Sequence, residues 1–261
     1  MRIVTFASGS SGNCCLAELG EARFLIDAGI SCRRIKQNLA LCSLRPEDLS
    51  GILITHEHGD HISGLEVLSR SCAVPIFAPA TVARHICLAV PALEGRLTVI
   101  PVGEEFSLGG VTVRAFPTPH DTPESVGYRL SGDGVFALAT DMGHVTEEIR
   151  SGLLGADAVV IECNHDEDRL RYGPYPYPLK RRILSDRGHL SNADCAALAA
   201  LLAENGTRTI VLGHLSRENN TPRLAYEAVR AALGDADVEL YVAPAAEKLA
   251  VETAGRDACL R

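Results

Sequence analysis

The chain contains no tryptophan, and aromatic residues make up only 5% of its 261 residues. Its core must therefore be built mainly from Leu, Val, Ile and Ala, which dominate the 46% hydrophobic fraction. No apolar run is long enough to cross a membrane. The first residues are typical of a strand and not of a charged leader, so we predict no signal peptide. This length fits one large domain or two small ones, and we predict a single domain over residues 1–261.

The nine cysteines include no C-x-x-C pair, and their number is odd. An odd, scattered set disfavours the disulfide framework of a small secreted protein. It indicates a reducing compartment, and we expect the protein to be cytoplasmic.

Acidic residues outnumber basic ones: the chain has 33 Asp and Glu but 25 Lys and Arg, so its net charge is −8. This balance disfavours a general nucleic-acid binder. It does not exclude a metal-dependent enzyme, since two divalent ions would add about four positive charges where a phosphate must bind. Nucleic acid therefore stays open as a substrate.

A dense run of metal-binding side chains, Thr55-His56-Glu57-His58-Gly59-Asp60-His61, follows the apolar residues 51–54. In extended backbone His56 and His58 project to the same side, because side chains alternate along a strand. Asp60 and His61 follow where the chain turns toward a helix, and we expect them to face a second point nearby. One metal ion does not need so many adjacent ligands, so the run predicts two.

Three more candidates, His120, Asp141 and His214, each follow a strand-like run. Imidazole and carboxylate groups without thiolate suit zinc, manganese or iron, and are atypical of a purely structural zinc site. Two metals about 3.5–4 Å apart can activate a water and stabilise charge at a scissile centre. Asp141 is the best bridging candidate because a carboxylate has two oxygens. We expect Asp60 to bind one metal and to orient the attacking hydroxide.

The spacing of apolar residues predicts helices after Ser31 and over residues 81–90, 146–154 and 192–205. Thr81 and Asn192 are the expected amino-terminal caps of the second and fourth of these helices. Strands are expected between them, which predicts an α/β chain.

The ligand series resembles that of the metallo-β-lactamase superfamily. Segments 7–14, 162–166, 188–192 and 213–216 are similar to the WalJ/YycJ branch, small bacterial metallo-hydrolases regarded as DNA exonucleases. This resemblance spans nearly the whole chain and implies a four-layer αβ/βα sandwich. It also implies one metal held by His56, His58 and His120, and another held by Asp60, His61 and His214, with Asp141 bridging.

The resemblance implies a binuclear phosphodiesterase, specifically a DNA 5′→3′ exonuclease in which a metal-bound hydroxide attacks the phosphodiester. DNA would be the partner, with no membrane and no obligate protein partner. One alternative is a hydrolase of a small ester, thioester (as in glyoxalase II) or lactone. A non-catalytic metal-binding regulator is another. His58 and His61 stand where oxygen-reducing diiron and zinc β-lactamase relatives have Glu and Arg, which disfavours those two activities.

His189 precedes the helix expected at Asn192, where free backbone N–H groups can bind phosphate. We expect His189 to be catalytic, by holding a non-bridging phosphate oxygen or protonating the leaving alkoxide. The alternative is that it only caps the turn.

Further substrate contacts are predicted in three segments. The small-residue turn 8–13 would let backbone N–H groups approach a phosphate, with a plain hairpin turn as the alternative. His165 follows a buried strand and would contact substrate or support a ligand. Residues 169–182 alternate Pro and Tyr, which favours an extended loop that stacks on bases, or else a solvated structural loop. The predicted contacts are Ser10, Ser11, Asn13, His165, Tyr172 and Arg181.

Overall fold

The computed structural model describes residues 1–253, so residues 254–261 of the predicted single domain lie outside the described range. The strands are β1 (Arg2–Ala7), β2 (Cys14–Leu19), β3 (Ala22–Ile26), β4 (Gly51–Leu53), β5 (Ile76–Pro79), β6 (Leu97–Ile100), β7 (Glu105–Leu108), β8 (Val111–Pro117), β9 (Val126–Ser131), β10 (Val135–Ala139), β11 (Ala158–Glu162), β12 (Thr209–Gly213), β13 (Glu239–Val242) and β14 (Leu249–Glu252). The helices are α1 (Cys32–Leu41), α2 (Gly59–Ile62), α3 (Leu65–Ser71), α4 (Ala80–Ala89), α5 (Glu147–Leu153), α6 (Glu167–Tyr172), α7 (Tyr177–Ile183), α8 (Asn192–Glu204) and α9 (Pro222–Leu233). Among these described helices, none combines the length and the apolar character that crossing a bilayer takes.

The strands form two seven-stranded sheets, in the orders β14-β1-β2-β3-β4-β5-β6 and β13-β12-β11-β10-β9-β8-β7. Strands β3 to β6 run parallel in the first sheet, and β10 to β13 run parallel in the second. Strand β8 has the same direction as β10, because each pairs antiparallel with β9. Parallel strands end at the same edge of a sheet, where open α/β sheets carry their ligand sites.

The two sheets and the helices on their outer faces form four layers, with a buried apolar cluster between each layer and the next. One cluster lies between the sheets and includes Phe24, Tyr128 and Phe136. A second joins the outer face of the first sheet to α1, α3 and α4, and a third joins the second sheet to α5, α8 and α9. Strands buried on both faces are apolar almost throughout: in β3, Phe24 and Ile26 face the other sheet while Leu25 faces the helices. The predicted αβ/βα sandwich is confirmed.

Two predicted helix caps are wrong. Helix α4 begins directly after Pro79, and the backbone N–H of Thr81 donates to the Glu124 carboxylate instead. Helix α8 is capped by Ser191 and not by Asn192, because the Ser191 hydroxyl accepts a backbone N–H of the first turn. The Asn192 side chain is buried and bonds within the interior.

The predicted extended loop over residues 169–182 is also wrong, because most of it is helical in α6 and α7. The Asp166 side chain caps α6, and Glu167 pairs with Arg171 one turn later at 2.8 Å. Pro178 lies in the first turn of α7, where a missing N–H removes no helical hydrogen bond. Local capping and ion pairing outweigh the Pro and Tyr alternation.

Candidate metal centre

The loop after β4 and the start of α2 carry four of the predicted ligands. The buried His56 ring lies 4.6 Å from that of His58 and 4.0 Å from that of His61, between ring centroids. Asp60 and His61 lie in α2, so the chain turns where expected. Gly29 packs against this turn so closely that a Cβ there would lie 1.6 Å from the Asp60 carbonyl oxygen. Only glycine can occupy position 29, and its close contact with Asp60 helps to position α2.

The other three predicted ligands follow strands of the second sheet: His120 follows β8, Asp141 follows β10 and His214 follows β12. Asp141 and His214 have φ values of 58° and 54°. A left-handed backbone at a non-glycine residue costs about 1–3 kcal/mol and is typical of functional sites. Both side chains are buried where the two sheets' loops meet.

The seven side chains form two neighbouring groups. Ligand atoms of His56, His58 and His120 all lie within 4.8 Å of one another, and so do those of Asp60, His61 and His214. Asp141 lies between the groups. Its Oδ2 is 3.3 Å from Nε2 of His61, and its Oδ1 is 3.7 Å from Nε2 of His120. The structure therefore brings all seven predicted ligands to one place.

Three polar atoms at the centre of this cluster are buried and have no hydrogen-bond partner among residues 1–253: Nε2 of His56, Nε2 of His214 and Oδ2 of Asp141. Leaving such an atom unsatisfied costs about 1–3 kcal/mol. A cation held among them would satisfy all three. The site therefore fits divalent metal ions, and its donor set without thiolate is typical of metal-dependent hydrolases.

Buried imidazole rings are oriented through their Nδ1 atoms. The contacts are His61 to Asp27 Oδ2 at 2.7 Å, His214 to Glu162 Oε1 at 2.9 Å and His120 to the Gly188 carbonyl oxygen at 3.2 Å. Donation from Nδ1 leaves Nε2 with its lone pair, which is the form that binds a metal. The rings are thus preset to present Nε2 to the centre.

The charges of the cluster favour a cation. Burial lowers the pKa of His56 and of His120, so these rings are neutral ligands at neutral pH. Burial has the same tendency at His61, but Asp27 and Asp141 outweigh it and raise the pKa of His61 to about 10. The carboxylates thus favour positive charge at His61, which a divalent ion would supply equally well.

Sequence reasoning passed over two supporting carboxylates, Asp27 and Glu162. Asp27 accepts the backbone N–H of Thr55 at 2.8 Å in addition to holding His61. Glu162 is fully buried, and although burial raises its pKa, His189 and His214 outweigh that effect and lower it to about 2. Asp27 follows the apolar run of β3 and Glu162 ends that of β11, which is the same signal that identified Asp141.

His189 lies shortly before α8, as predicted, and borders the same centre. Its Nδ1 is 2.7 Å from Oε1 of Glu162 and 3.8 Å from Oδ1 of Asp141. Its ring centroid is 5.2 Å from those of both His120 and His214. Burial opposes protonation, but Glu162 raises the pKa of His189 above its usual value. A protonated ring here can donate to a phosphate oxygen.

The predicted contacts in the first turn divide into two kinds. Asn13 is buried, and its Nδ2 lies 3.0 Å from Nε2 of His61 and 3.3 Å from Oδ2 of Asp60, so it contacts the ligands themselves. Ser10 and Ser11 are exposed, and the Ser11 hydroxyl accepts from Arg217 at 2.7 Å. Binding of substrate by these three residues stays a prediction.

The predicted contacts on α6 and α7 are exposed: Tyr172 has 85% of its surface accessible, and Arg181 is also exposed. Their neighbour Arg182 pairs with Asp121, whose Oδ1 lies 3.1 Å from Nε2 of His120. Helix α7 therefore borders the metal centre, and its basic turn lies beside it. His165, in contrast, is buried.

The comparisons with known proteins agree with this geometry. Residues 22–215 match the family model described as beta-lactamase superfamily domain. The chain is 38% identical over 242 residues to exodeoxyribonuclease WalJ of Streptococcus pneumoniae serotype 2 (strain D39 / NCTC 7466), covering 90% of this chain and 89% of that protein. It is 38% identical over 227 residues to exodeoxyribonuclease YycJ of Bacillus anthracis, covering 85% of each.

Among solved structures, Zn²⁺-bound PqqB from Methylobacterium extorquens superposes with a TM-score of 0.71 at 17% identity, over 97% of this chain and 100% of that one. At this identity the likeness concerns the fold alone. The resemblance predicted from the motifs is confirmed in the matched family.

Proposed function

Since this chain belongs to the beta-lactamase superfamily, whose domain spans residues 22–215, we propose that it is a metal-dependent DNA exonuclease of the 5′→3′ type. The observation that carries the proposal is the position of His189. Oε1 of Glu162 lies 2.7 Å from Nδ1 of His189 and holds this ring beside both ligand groups. A phosphodiester bound at the centre would therefore meet a cationic donor. The near full-length similarity to two exodeoxyribonucleases supports DNA as the substrate.

We infer two divalent ions, each with its own set of ligands. His56, His58 and His120 would hold one, Asp60, His61 and His214 the other, and Asp141 would bridge them. Zinc and manganese both suit these donors, and iron is also accepted by such a set. Two such ions supply an activated water and neutralise charge that develops on the phosphate.

The protein's own side chains have two remaining tasks. Asp60 is a quarter exposed, so one of its oxygens can accept a hydrogen bond from the attacking water and orient it. As the water oxygen bonds to phosphorus and releases one proton to solvent, the bond from phosphorus to the leaving alkoxide breaks, and His189 gives that alkoxide a proton. No side chain acts as a nucleophile in this scheme.

The test is hydrolysis of linear duplex DNA, labelled at the 5′ end, by the purified protein with added Mn²⁺. We expect the labelled terminal nucleotide to be released first, before the rest of the strand is degraded. This release should be lost in Asp60→Ala and retained in Asp235→Ala, a matched change at an exposed aspartate outside the site. Turnover of a glutathione thioester but not of DNA would instead support the glyoxalase-II-like alternative. Absence of any hydrolysis by the metal-loaded wild type would favour the non-catalytic regulator.

A further inference from the structure

A cavity of about 230 Å³ lies beside the metal centre. Its wall includes His189 and Gly143, the latter in the turn that follows Asp141. Pockets that enclose a drug-sized ligand have volumes of about 300–1,000 Å³. This cavity is smaller, so it has room for one nucleoside and not for a longer piece of DNA.

His165 lines this cavity and is 1% exposed, yet neither ring nitrogen has a hydrogen-bond partner among the described residues. Its backbone is held firmly, because the His165 carbonyl accepts the N–H of Asn192 at 2.8 Å and the Asp166 N–H donates to Asn219 at 2.9 Å. Two unsatisfied nitrogens on a fixed, buried residue are unusual in a native protein. They point to a ligand that supplies the missing partners.

The chemistry of the wall selects the class of that ligand. Burial keeps His165 neutral, so its ring offers one N–H donor and one acceptor. Glu167 and Arg171 also line the cavity and pair with each other at 2.8 Å, so together they add no net charge to its wall. Sugar hydroxyls and base edges both donate and accept hydrogen bonds. The wall therefore suits a nucleoside, whose hydroxyls and base edge can supply the partners that His165 lacks among residues 1–253.

We propose that this cavity binds the nucleoside on the leaving-group side of the scissile phosphate, with His165 as its specificity-determining contact. This inference rests on the proposed exonuclease function. The nucleoside would lie next to His189, the residue assigned to protonate its departing oxygen. A cavity that holds one nucleoside also explains why cleavage would proceed from a chain end.

The test compares DNA with bis(4-nitrophenyl) phosphate, a phosphodiester that has no nucleoside. In His165→Leu, which removes both ring nitrogens, we expect kcat/KM for DNA to fall about tenfold or more, while hydrolysis of the small diester changes less than about twofold. His165→Asn keeps one donor and one acceptor and should recover part of the loss. His144→Leu, an exposed residue outside this cavity, is the matched control.

Thymidine is a second probe, because it has no phosphate with which to bind the metals. It should inhibit DNA hydrolysis competitively in the wild type and about tenfold more weakly in His165→Leu. The melting temperature of His165→Leu should equal or exceed that of the wild type, since two unsatisfied buried atoms are removed.

An equal loss on both substrates in the two His165 variants would overturn the proposal, since His165 would then support the metal centre. Unchanged DNA kinetics in His165→Leu, or no inhibition of the wild type by thymidine, would also overturn it. Failure of the proposed function itself has a different result, namely a wild type that cleaves the small diester but not DNA.

Discussion

Asp27 divides its two oxygens between Thr55 and His61, and it sits at φ 61° directly after β3. One carboxylate thereby ties the ligand loop to a ring that faces the metal centre. Asparagine tolerates a left-handed backbone well, so Asp27→Asn changes the charge and hydrogen bonding without changing the turn.

For Asp27→Asn we expect metal affinity to fall by about 10–100-fold, because partners that orient a ligating imidazole contribute that much. Competition with a coloured chelator measures the affinity, and excess Mn²⁺ should restore most of the nuclease activity. Asp235→Asn, at an exposed position, serves as the control. Wild-type metal affinity in Asp27→Asn would show that His61 does not need this carboxylate.

His165 predicts a pH dependence of stability. Burial lowers its pKa from about 6.5 in the unfolded chain to about 4 in the folded protein, with Glu162 opposing the shift. The unfolded state therefore binds more protons, and the free energy of unfolding falls as the pH falls from 6.5 to 4, by up to about 3 kcal/mol. This part of the stability is fully present above pH about 6.5.

Urea unfolding of the wild type and His165→Asn across this pH range measures the contribution. Carboxylates titrate in both proteins, so only the difference between the two curves reports on His165. We expect the free energy of unfolding of the wild type to fall relative to that of His165→Asn as the pH falls from 6.5 to 4. Parallel curves would mean that the ring is protonated equally in both states.

The seven candidate metal ligands could be predicted from the sequence because each lies at or just after the end of an apolar run, and six of them lie in the histidine-rich run or are histidines themselves. Asp27 and Glu162 are acidic residues in the same position as Asp141, so this signal alone does not separate supporting carboxylates from ligating ones. The two unpartnered nitrogens of His165 depend on which side chains surround it in three dimensions. No local pattern encodes that arrangement.

At the scale of secondary structure, α6 and α7 replace the predicted extended loop. Alternating Pro and Tyr favours an extended backbone. The Asp166 cap and the pair of Glu167 with Arg171 together favour a helix. Helix α8 is capped one residue earlier than predicted. Ser191 and Asn192 are both good caps, but the Asn192 side chain is hydrogen-bonded to Asn220 in the interior.

Helix α7 ends in the basic turn Lys180, Arg181 and Arg182 beside the metal centre. If this turn contacts the DNA backbone, Arg181→Ala should raise KM several-fold at physiological salt and leave kcat unchanged. The plot of log(kcat/KM) against log salt should also become shallower by about 0.7–0.9.

Arg223→Ala provides the control for this change, because Arg223 is an exposed arginine on α9 that pairs with Glu227. Equal salt slopes for Arg181→Ala and the wild type would remove α7 from the DNA-binding surface.

At the scale of the whole molecule, the two sheets contribute to one site: the β4 loop brings His56 to His61, and the second sheet brings His120, Asp141 and His214. The α/β class could be predicted from the residue pattern. The order of strands could not, because pairs such as β1 with β14 join distant parts of the chain and leave no local signal. The resemblance to a known family supplied the sandwich.

Because residues from both sheets would hold the metals, removing the ions should destabilise the entire fold. A ligand that binds only the folded state at 100 times its Kd adds about 2.7 kcal/mol. That corresponds to a melting temperature lower by about 5–10 °C after treatment with EDTA. Differential scanning calorimetry measures it, and added Zn²⁺ or Mn²⁺ should reverse the loss. An unchanged melting temperature would mean that metal binding and folding are not coupled.

The pairing of β1 with β14 has a consequence for biosynthesis. During synthesis β1 waits for Leu249–Glu252 before this edge of its sheet is covered. The ligands are themselves spread from His56 to His214 along the chain. A chain translated only as far as β11 therefore cannot assemble the site, and any nuclease activity would begin only after His214 has been made. Newly made protein would be harmless to DNA until that moment.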